Sequence, residues 1–226
     1  MHGRKPKPLY RDLPFDLYVL PVTELEQNCS ILVDRDNREA VLVDPGGDVE
    51  GILRVLATLR ARPAKIWLTH GHFDHVGGAA KLKEAFDIPV IGPHESDAFL
   101  VEHVEEQGRF FGLPAGRSIT PDKWLNEGDA LDFAGATFEV RHCPGHTPGH
   151  VAFIDTAHNI GFVGDLLFQG SIGRSDLPGG SREALMQSLR EKLLSLPDDF
   201  RFIPGHGMAS TIGAERANNP YLTEIV

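Results

Sequence analysis

Between Thr69 and His75 the chain reads Thr-His-Gly-His-Phe-Asp-His, placing three imidazoles and one carboxylate within six residues, directly after the apolar run Lys65 to Thr69. That order constrains the fold. The apolar run reads as a buried strand, and it must end in a turn that hands over to a helix across Val76 to Phe86, whose Ala, Lys, Leu and Glu content favours one. In extended backbone His70 and His72 point to the same side, and the turn re-aims Asp74 and His75 toward a neighbouring point.

Imidazole and carboxylate together are ligands for zinc, iron or manganese at neutral pH, and the lack of cysteine in the run argues against a structural thiolate site. Three further donors stand at the ends of predicted strands, each beside a glycine: His146, Asp165 and His206. Five His and two Asp fill two three-residue ligand sets with one carboxylate shared, leaving positions open as a catalytic centre requires. In a chain with 11 His among 226 residues, composition alone gives the four-position match in roughly one chain in a few hundred.

The other histidines, at 2, 94, 103, 142, 150 and 158, read as solvated side chains, with His150 a hydrogen-bonded neighbour of the centre. Cys143 reads as a small buried apolar residue and not a nucleophile. Asp44, at the end of the Val41 to Val43 run, either steadies a ligand histidine or only opens the following turn.

Short apolar runs near Phe15 to Val19, Ile31 to Val33 and Ala40 to Val43 read as strands, followed by an amphipathic helix from Val49 to Leu59 with Asp48 as its N-cap. Pro89 to Ile91 reads as a strand, His94 to Phe111 as one helix, and Leu113 to Asn126 as a connection. Strands are then predicted near residues 130–133, 137–142, 150–155 and 159–163, a helix over Arg182 to Leu194, and a last strand at Arg201 to Ile203. Strand runs followed by helices occur twice, which suits two sheets packed face to face between helices better than a strictly alternating parallel fold. Residues 1–12 read as a flexible tail and 13–226 as one domain.

The formal charge of −10 opposes binding to a nucleic-acid backbone. No run approaches the ~18 uninterrupted apolar residues of a membrane span, and the basic opening has no apolar core to act as a leader. With Cys29 and Cys143 the only thiols, the expectation is a cytoplasmic protein with reduced cysteines and no membrane partner.

At His70, His72, Asp74, His75, His146, Asp165 and His206 the sequence resembles the metallo-β-lactamase superfamily, whose His-x-His-x-Asp-His motif is followed by His, Asp and His. The resemblance implies a four-layer α/β/β/α sandwich of two packed mixed sheets with outer helices. It also implies two divalent metal ions, zinc foremost with iron or manganese as alternatives. One would sit on His70, His72 and His146, the other on Asp74, His75 and His206, with Asp165 bridging. True β-lactamases of the family place Cys at the bridging position and lack Asp74, which points away from antibiotic hydrolysis.

The runs Val43 to Gly47, His142 to His150 and Phe168 to Asp176 resemble the short bacterial hydroxyacylglutathione hydrolases, or type II glyoxalases, of methylglyoxal detoxification. The implied reaction is cleavage of a glutathione thioester, S-D-lactoylglutathione, to D-lactate and glutathione by a hydroxide shared between the metals. Asp74 would orient that hydroxide, and Arg174 would contact substrate where the longer enzymes carry lysine. The run Gly173 to Asp176 is similar also to persulfide dioxygenases, which use one iron, and lactonases share the fold.

Overall fold

The computed structural model describes residues 6–223. Five strands form the first sheet in the order β1 (Asp16–Val22), β2 (Gln27–Val33), β3 (Glu39–Val43), β4 (Arg62–Trp67), β5 (Val90–Ile91), antiparallel up to β3 and parallel from β3 to β5. The second sheet uses β6 (Ala130–Phe133), β7 (Ala136–His142), β8 (Val151–Asp155), β9 (Ile160–Gly164), β12 (Arg201–Pro204) and β13 (Ser210–Thr211). Its order is β13-β12-β9-β8-β7-β6, with only β12 and β9 parallel. A hairpin of β10 (Leu167–Phe168) and β11 (Ser171–Ile172) lies outside both sheets.

Alternation along the strands sorts the apolar residues into three cores. Val41, Val43 and Trp67 face the second sheet, where they meet Phe138, Phe153 and Phe162. Trp67 lies with its ring centroid 5.5 Å from Phe138 and 5.6 Å from Phe153. The alternate residues Ala40 and Leu42 face outward and are covered by α1 (Val49–Leu59) and α3 (Ala79–Phe86) through Ile52, Leu56 and Leu82. On the opposite outer face, Ala152, Ile154 and Phe202 are covered by α6 (Arg182–Ser188) and α7 (Ile212–Asn218) through Leu185 and Ile212. The expected α/β/β/α sandwich is therefore the observed one.

The Asp48 carboxylate accepts the Gly51 N–H at 3.1 Å, the expected cap for α1, an interaction worth about 1 kcal/mol. Two expected helices are broken, each by tertiary partners that claim backbone groups. The helix predicted over Val76 to Phe86 divides into α2 (Phe73–Val76) and α3 because Gly78 donates its N–H to the Pro45 carbonyl at 2.8 Å. A Cβ on Gly78 would lie 2.4 Å from that oxygen. The predicted helix His94 to Phe111 becomes a 3₁₀ turn at 95–97, α4 (Ala98–Val101) and α5 (Val104–Phe111). There the Val101 carbonyl accepts from Ile119 N–H and Val104 N–H donates to Ser118 Oγ, bonds that replace helical ones. Past α6 the helix loosens into a π turn at 189–193. The sequence reading did not include β10, β11, β13 or α7.

Part of the expected tail, residues 1–5, lies outside the described residues. Nearer the domain, Leu9 N–H donates to the Leu17 carbonyl at 2.7 Å, Asp12 pairs with Arg201 at 3.0 Å, and the Arg201 guanidinium lies 4.4 Å from the Tyr10 ring. No helix among the described residues is long and apolar enough to cross a membrane.

Candidate metal centre

The donors gather where strands of both sheets end. Parallel β3 and β4 deliver Asp44 and Thr69 side by side, and parallel β9 and β12 deliver Asp165 and His206 to the matching edge of the other sheet. Backbone bonds tie the two edges together: Val151 N–H to Thr69 O at 2.8 Å, and Asn28 N–H to Gly205 O at 2.7 Å. The Asn28 amide also donates to the Pro204 and Gly207 carbonyls, fixing the turn that presents His206.

Six of the seven expected donors are buried, and His206 is half-buried. His72 Nδ1 lies 3.1 Å from His70 Nε2 and 2.9 Å from His146 Nε2. In the second triad, Asp74 Oδ2 lies 3.2 Å from His206 Nε2 and 3.8 Å from His75 Nε2. Asp165 touches both groups: Oδ1 is 3.4 Å from His75 Nε2, and Oδ2 is 3.6 Å from both His146 Nε2 and His206 Nε2. The geometry thus brings together the two triads and the shared carboxylate.

Most of the imidazoles are steadied from behind. His75 Nδ1–H donates to Asp44 Oδ2 at 2.9 Å, His146 Nδ1–H to the Arg174 carbonyl at 2.7 Å, and His206 Nδ1–H to the Leu25 carbonyl at 3.0 Å. Because these partners only accept, each ring must keep its proton on Nδ1 and turn the Nε2 lone pair inward. Asp44 also accepts Thr69 N–H at 2.7 Å and the Thr69 hydroxyl at 2.6 Å, and that hydroxyl takes His70 Nδ1–H at 3.0 Å. Of the two readings of Asp44, support of neighbouring histidines, His75 directly and His70 through Thr69, is the observed one, with Asp44 held at φ 51° in the left-handed region. His150, the expected neighbour, stacks on His70 at 4.8 Å and accepts Asp165 N–H at 3.0 Å.

Asp97 escaped the sequence reading. Its buried carboxylate accepts Gly71 N–H at 2.9 Å, Gly149 N–H at 2.6 Å and the Thr147 hydroxyl at 2.7 Å, clamping the two histidine loops to each other. Burial pushes it up to about 6 against the hydrogen bonds that favour its ionised form. No pattern around residue 97 signals this, since the partners come from distant loops.

The electrostatics match a cation site. Burial and neighbouring imidazoles hold His70 far below its ordinary value and His72 at about 3, and burial also lowers His146. Burial works against charge on His75 too, yet Asp165 and Asp74 outweigh it and hold His75 well above its usual range. Asp165 and Asp74 are held low against burial, with His75 the leading cause. Two buried carboxylates that draw positive charge onto His75, beside three imidazoles held neutral, call for positive charge between them. Two polar atoms at the centre, His75 Nε2 and Asp165 Oδ1, are buried without a hydrogen-bond partner. Divalent ions on these nitrogen and oxygen donors satisfy both requirements, so the residues present fit the metals.

Arg174 lies at the rim, where its guanidinium holds Asp176 through two bonds of 2.8 Å, while its carbonyl supports His146. Cys29 and Cys143 are free and buried, and burial raises the Cys143 thiol to about 12, which removes it as a nucleophile.

Comparison with known proteins gives the same fold. Hydroxyacylglutathione hydrolase GloC of Haemophilus influenzae is 46% identical over 208 residues, which cover 92% of this chain and 98% of that protein. Among solved structures, the BLEG-1 B3 metallo-beta-lactamase superposes with a TM-score of 0.84 at 36% identity, covering 92% of this chain and 99% of its own. TTHA1623 in a di-iron-bound form superposes with a TM-score of 0.83 at 42% identity, covering 91% and 100%. The family model for the metallo-beta-lactamase superfamily matches residues 22–206, a span that holds all seven donors. On its sandwich, its donor set and this match, the chain belongs to the metallo-β-lactamase superfamily.

Proposed function

We propose that the chain is a metal-dependent thioester hydrolase acting on a glutathione thioester, with S-D-lactoylglutathione as the first substrate to test. The reading is supported by its likeness to GloC along nearly the whole chain. The observation that carries it is the position of Asp165, whose two oxygens reach 3.4 Å from one histidine triad and 3.6 Å from the other. That is the arrangement for two cations, zinc first, held by His70, His72 and His146 on one side and Asp74, His75 and His206 on the other.

When bound, such a pair of cations supplies a hydroxide nucleophile near pH 7 and Lewis acidity toward a carbonyl. The side chains do the rest. Asp74, beside His75 and His206, is placed to accept a proton from the attacking water and aim its lone pair. A thiol leaving group with a pKa of about 8.5 departs as thiolate, so no strong general acid is required. The Arg174–Asp176 pair is exposed and screened by solvent, so a substrate carboxylate can take over the guanidinium fork at little cost.

Oxidation of a persulfide on a single iron is the alternative within the same fold, but it needs one triad, and the convergence of two supports hydrolysis. The BLEG-1 likeness favours β-lactam cleavage as a second reading, against the expectation drawn from Asp74 and Asp165. The free, buried cysteines suit a reducing cytoplasm. The test pairs metal analysis with three assays on one sample. S-D-lactoylglutathione loss without oxygen supports the proposal, whereas oxygen uptake with glutathione persulfide or cleavage of a chromogenic cephalosporin alone replaces it.

A further inference from the structure

His72 forms part of the wall of a recess of about 500 Å³ whose other walls include Phe99, Phe110, Phe111, Leu177 and Pro178. That volume lies within the roughly 300–1,000 Å³ usual for small-molecule sites. The three phenylalanines are 42%, 81% and 40% exposed, an apolar cluster that contributes to none of the three cores. A second cavity, about 560 Å³ and bordered by Phe73, Lys81 and Arg117, contains none of the seven donors, and its two cations are engaged by Glu50 and Glu84. Of these two, the first recess is the one lined by a donor, His72.

The aromatic wall is fixed relative to the donors. Phe111 stacks on Phe73 at 5.6 Å, and Phe110 meets Phe111 edge-on at 5.2 Å. The Gln107 amide, on the same helix, donates to the Gly71 carbonyl and accepts Phe73 N–H, so α5 and the histidine loop move as one. At the rim stand Glu106 and Asp176. Glu106 has Arg109 at 4.0 Å, and Asp176 is bound by Arg174. A glutathione moiety carries two carboxylates and one ammonium, and with both rim carboxylates already paired to arginine the apolar floor is the wrong surface for it. It is the right surface for an aryl or extended aliphatic group.

We infer that this recess is the acyl subsite of the metal centre and that the substrate is a thioester whose acyl group is aromatic or otherwise strongly apolar. The inference rests on the thioesterase reading above and deepens it. In the reaction the carbonyl carbon gains a bond to the water oxygen and loses its bond to sulfur, releasing a carboxylate, a thiol and one proton, while the apolar group stays against Phe110 and Phe111.

The test compares kcat/KM for S-mandeloylglutathione and S-D-lactoylglutathione, which differ in phenyl against methyl, on the metal-loaded full chain. The phenyl compound should be favoured by about tenfold or more, the scale on which hydrophobic pockets discriminate. Phe110→Ser and Phe111→Ser should each reduce that ratio, Phe110→Ser without risk to folding because the side chain is mostly solvent-facing. Light scattering on the same samples reads the oligomeric state. Equal kcat/KM for both thioesters, or an unchanged ratio in both variants, overturns the subsite while leaving the hydrolase intact. An unchanged ratio accompanied by conversion of a dimer to a monomer in Phe110→Ser shows the cluster to be a contact between copies. Hydrolysis of neither compound overturns the thioesterase reading and the subsite with it.

Discussion

Asp44 Oδ2 accepts the Nδ1 proton of His75 at 2.9 Å, and through the Thr69 hydroxyl the same carboxylate also reaches His70. One residue outside the donor set thus orients a histidine of each triad. Asp44→Asn leaves one acceptor oxygen where several donors converge and sets an amide N–H against them. Metal affinity should fall by about 10–100-fold, the usual effect of removing a group that supports a ligand. Competition with a chromogenic chelator measures it, and unchanged affinity would show that the rings hold their orientation without Asp44.

Asp165 and His158 make a paired comparison. Asp165→Ala removes the carboxylate that both triads share and should lower thioester hydrolysis by more than about 100-fold, beyond what loss of a supporting group causes, together with metal content. His158 pairs with Asp155 at 2.6 Å and belongs to neither triad. His158→Ala should leave metal content and hydrolysis largely unchanged. Equal losses in the two variants contradict the donor assignment.

Gly205→Ala replaces no donor residue, yet a Cβ there would lie 2.0 Å from Asp165 Oδ1 and 2.6 Å from His75 Cε1. The methyl group displaces the shared carboxylate. Metal per chain should drop toward that of Asp165→Ala, with an overpacking cost of roughly 1–3 kcal/mol read by urea unfolding. Full metal occupancy in this variant would mean that the carboxylate has room to move and still bridge.

For Asp97, the pH dependence has a definite sign. The side chain ionises near 3.8 in the unfolded chain and near about 6 in the folded one. Between those values the folded state holds a proton that the unfolded state has released, so stability falls as pH rises, by about 3 kcal/mol in total, and levels off above pH 6. Asp97→Asn should lose that falling segment, on top of a pH-independent cost of about 1–3 kcal/mol for the acceptor it cannot replace. Urea midpoints of metal-free protein at pH 4 and pH 7 give the comparison. Parallel curves for the two proteins rule out the assignment.

Much of the centre was legible because its chemistry is encoded locally. His70, His72, Asp74 and His75 sit on one strand-to-helix turn, and His146, Asp165 and His206 each follow an apolar strand beside a glycine, so residue type and strand-end position were enough to nominate them. The layers of the sandwich followed from alternation in runs such as Ala40 to Val43. Two helices were drawn too long because their interiors look helical while Pro45, Ser118 and Ile119, far away in sequence, take the bonds that would have continued them.

The chain order alone nominated candidate metal donors and marked which faces are apolar, since both depend on residue chemistry and on a period of two or 3.6. Only the folded molecule decided that Asp44 serves both triads, that Asp97 clamps two loops, that Arg174 is held by Asp176, and that three phenylalanines stand beside His72. Apart from the local Arg174–Asp176 pair, those relationships join segments tens of residues apart, and hydrogen-bond distance is set by how the sheets pack rather than by any spacing along the backbone.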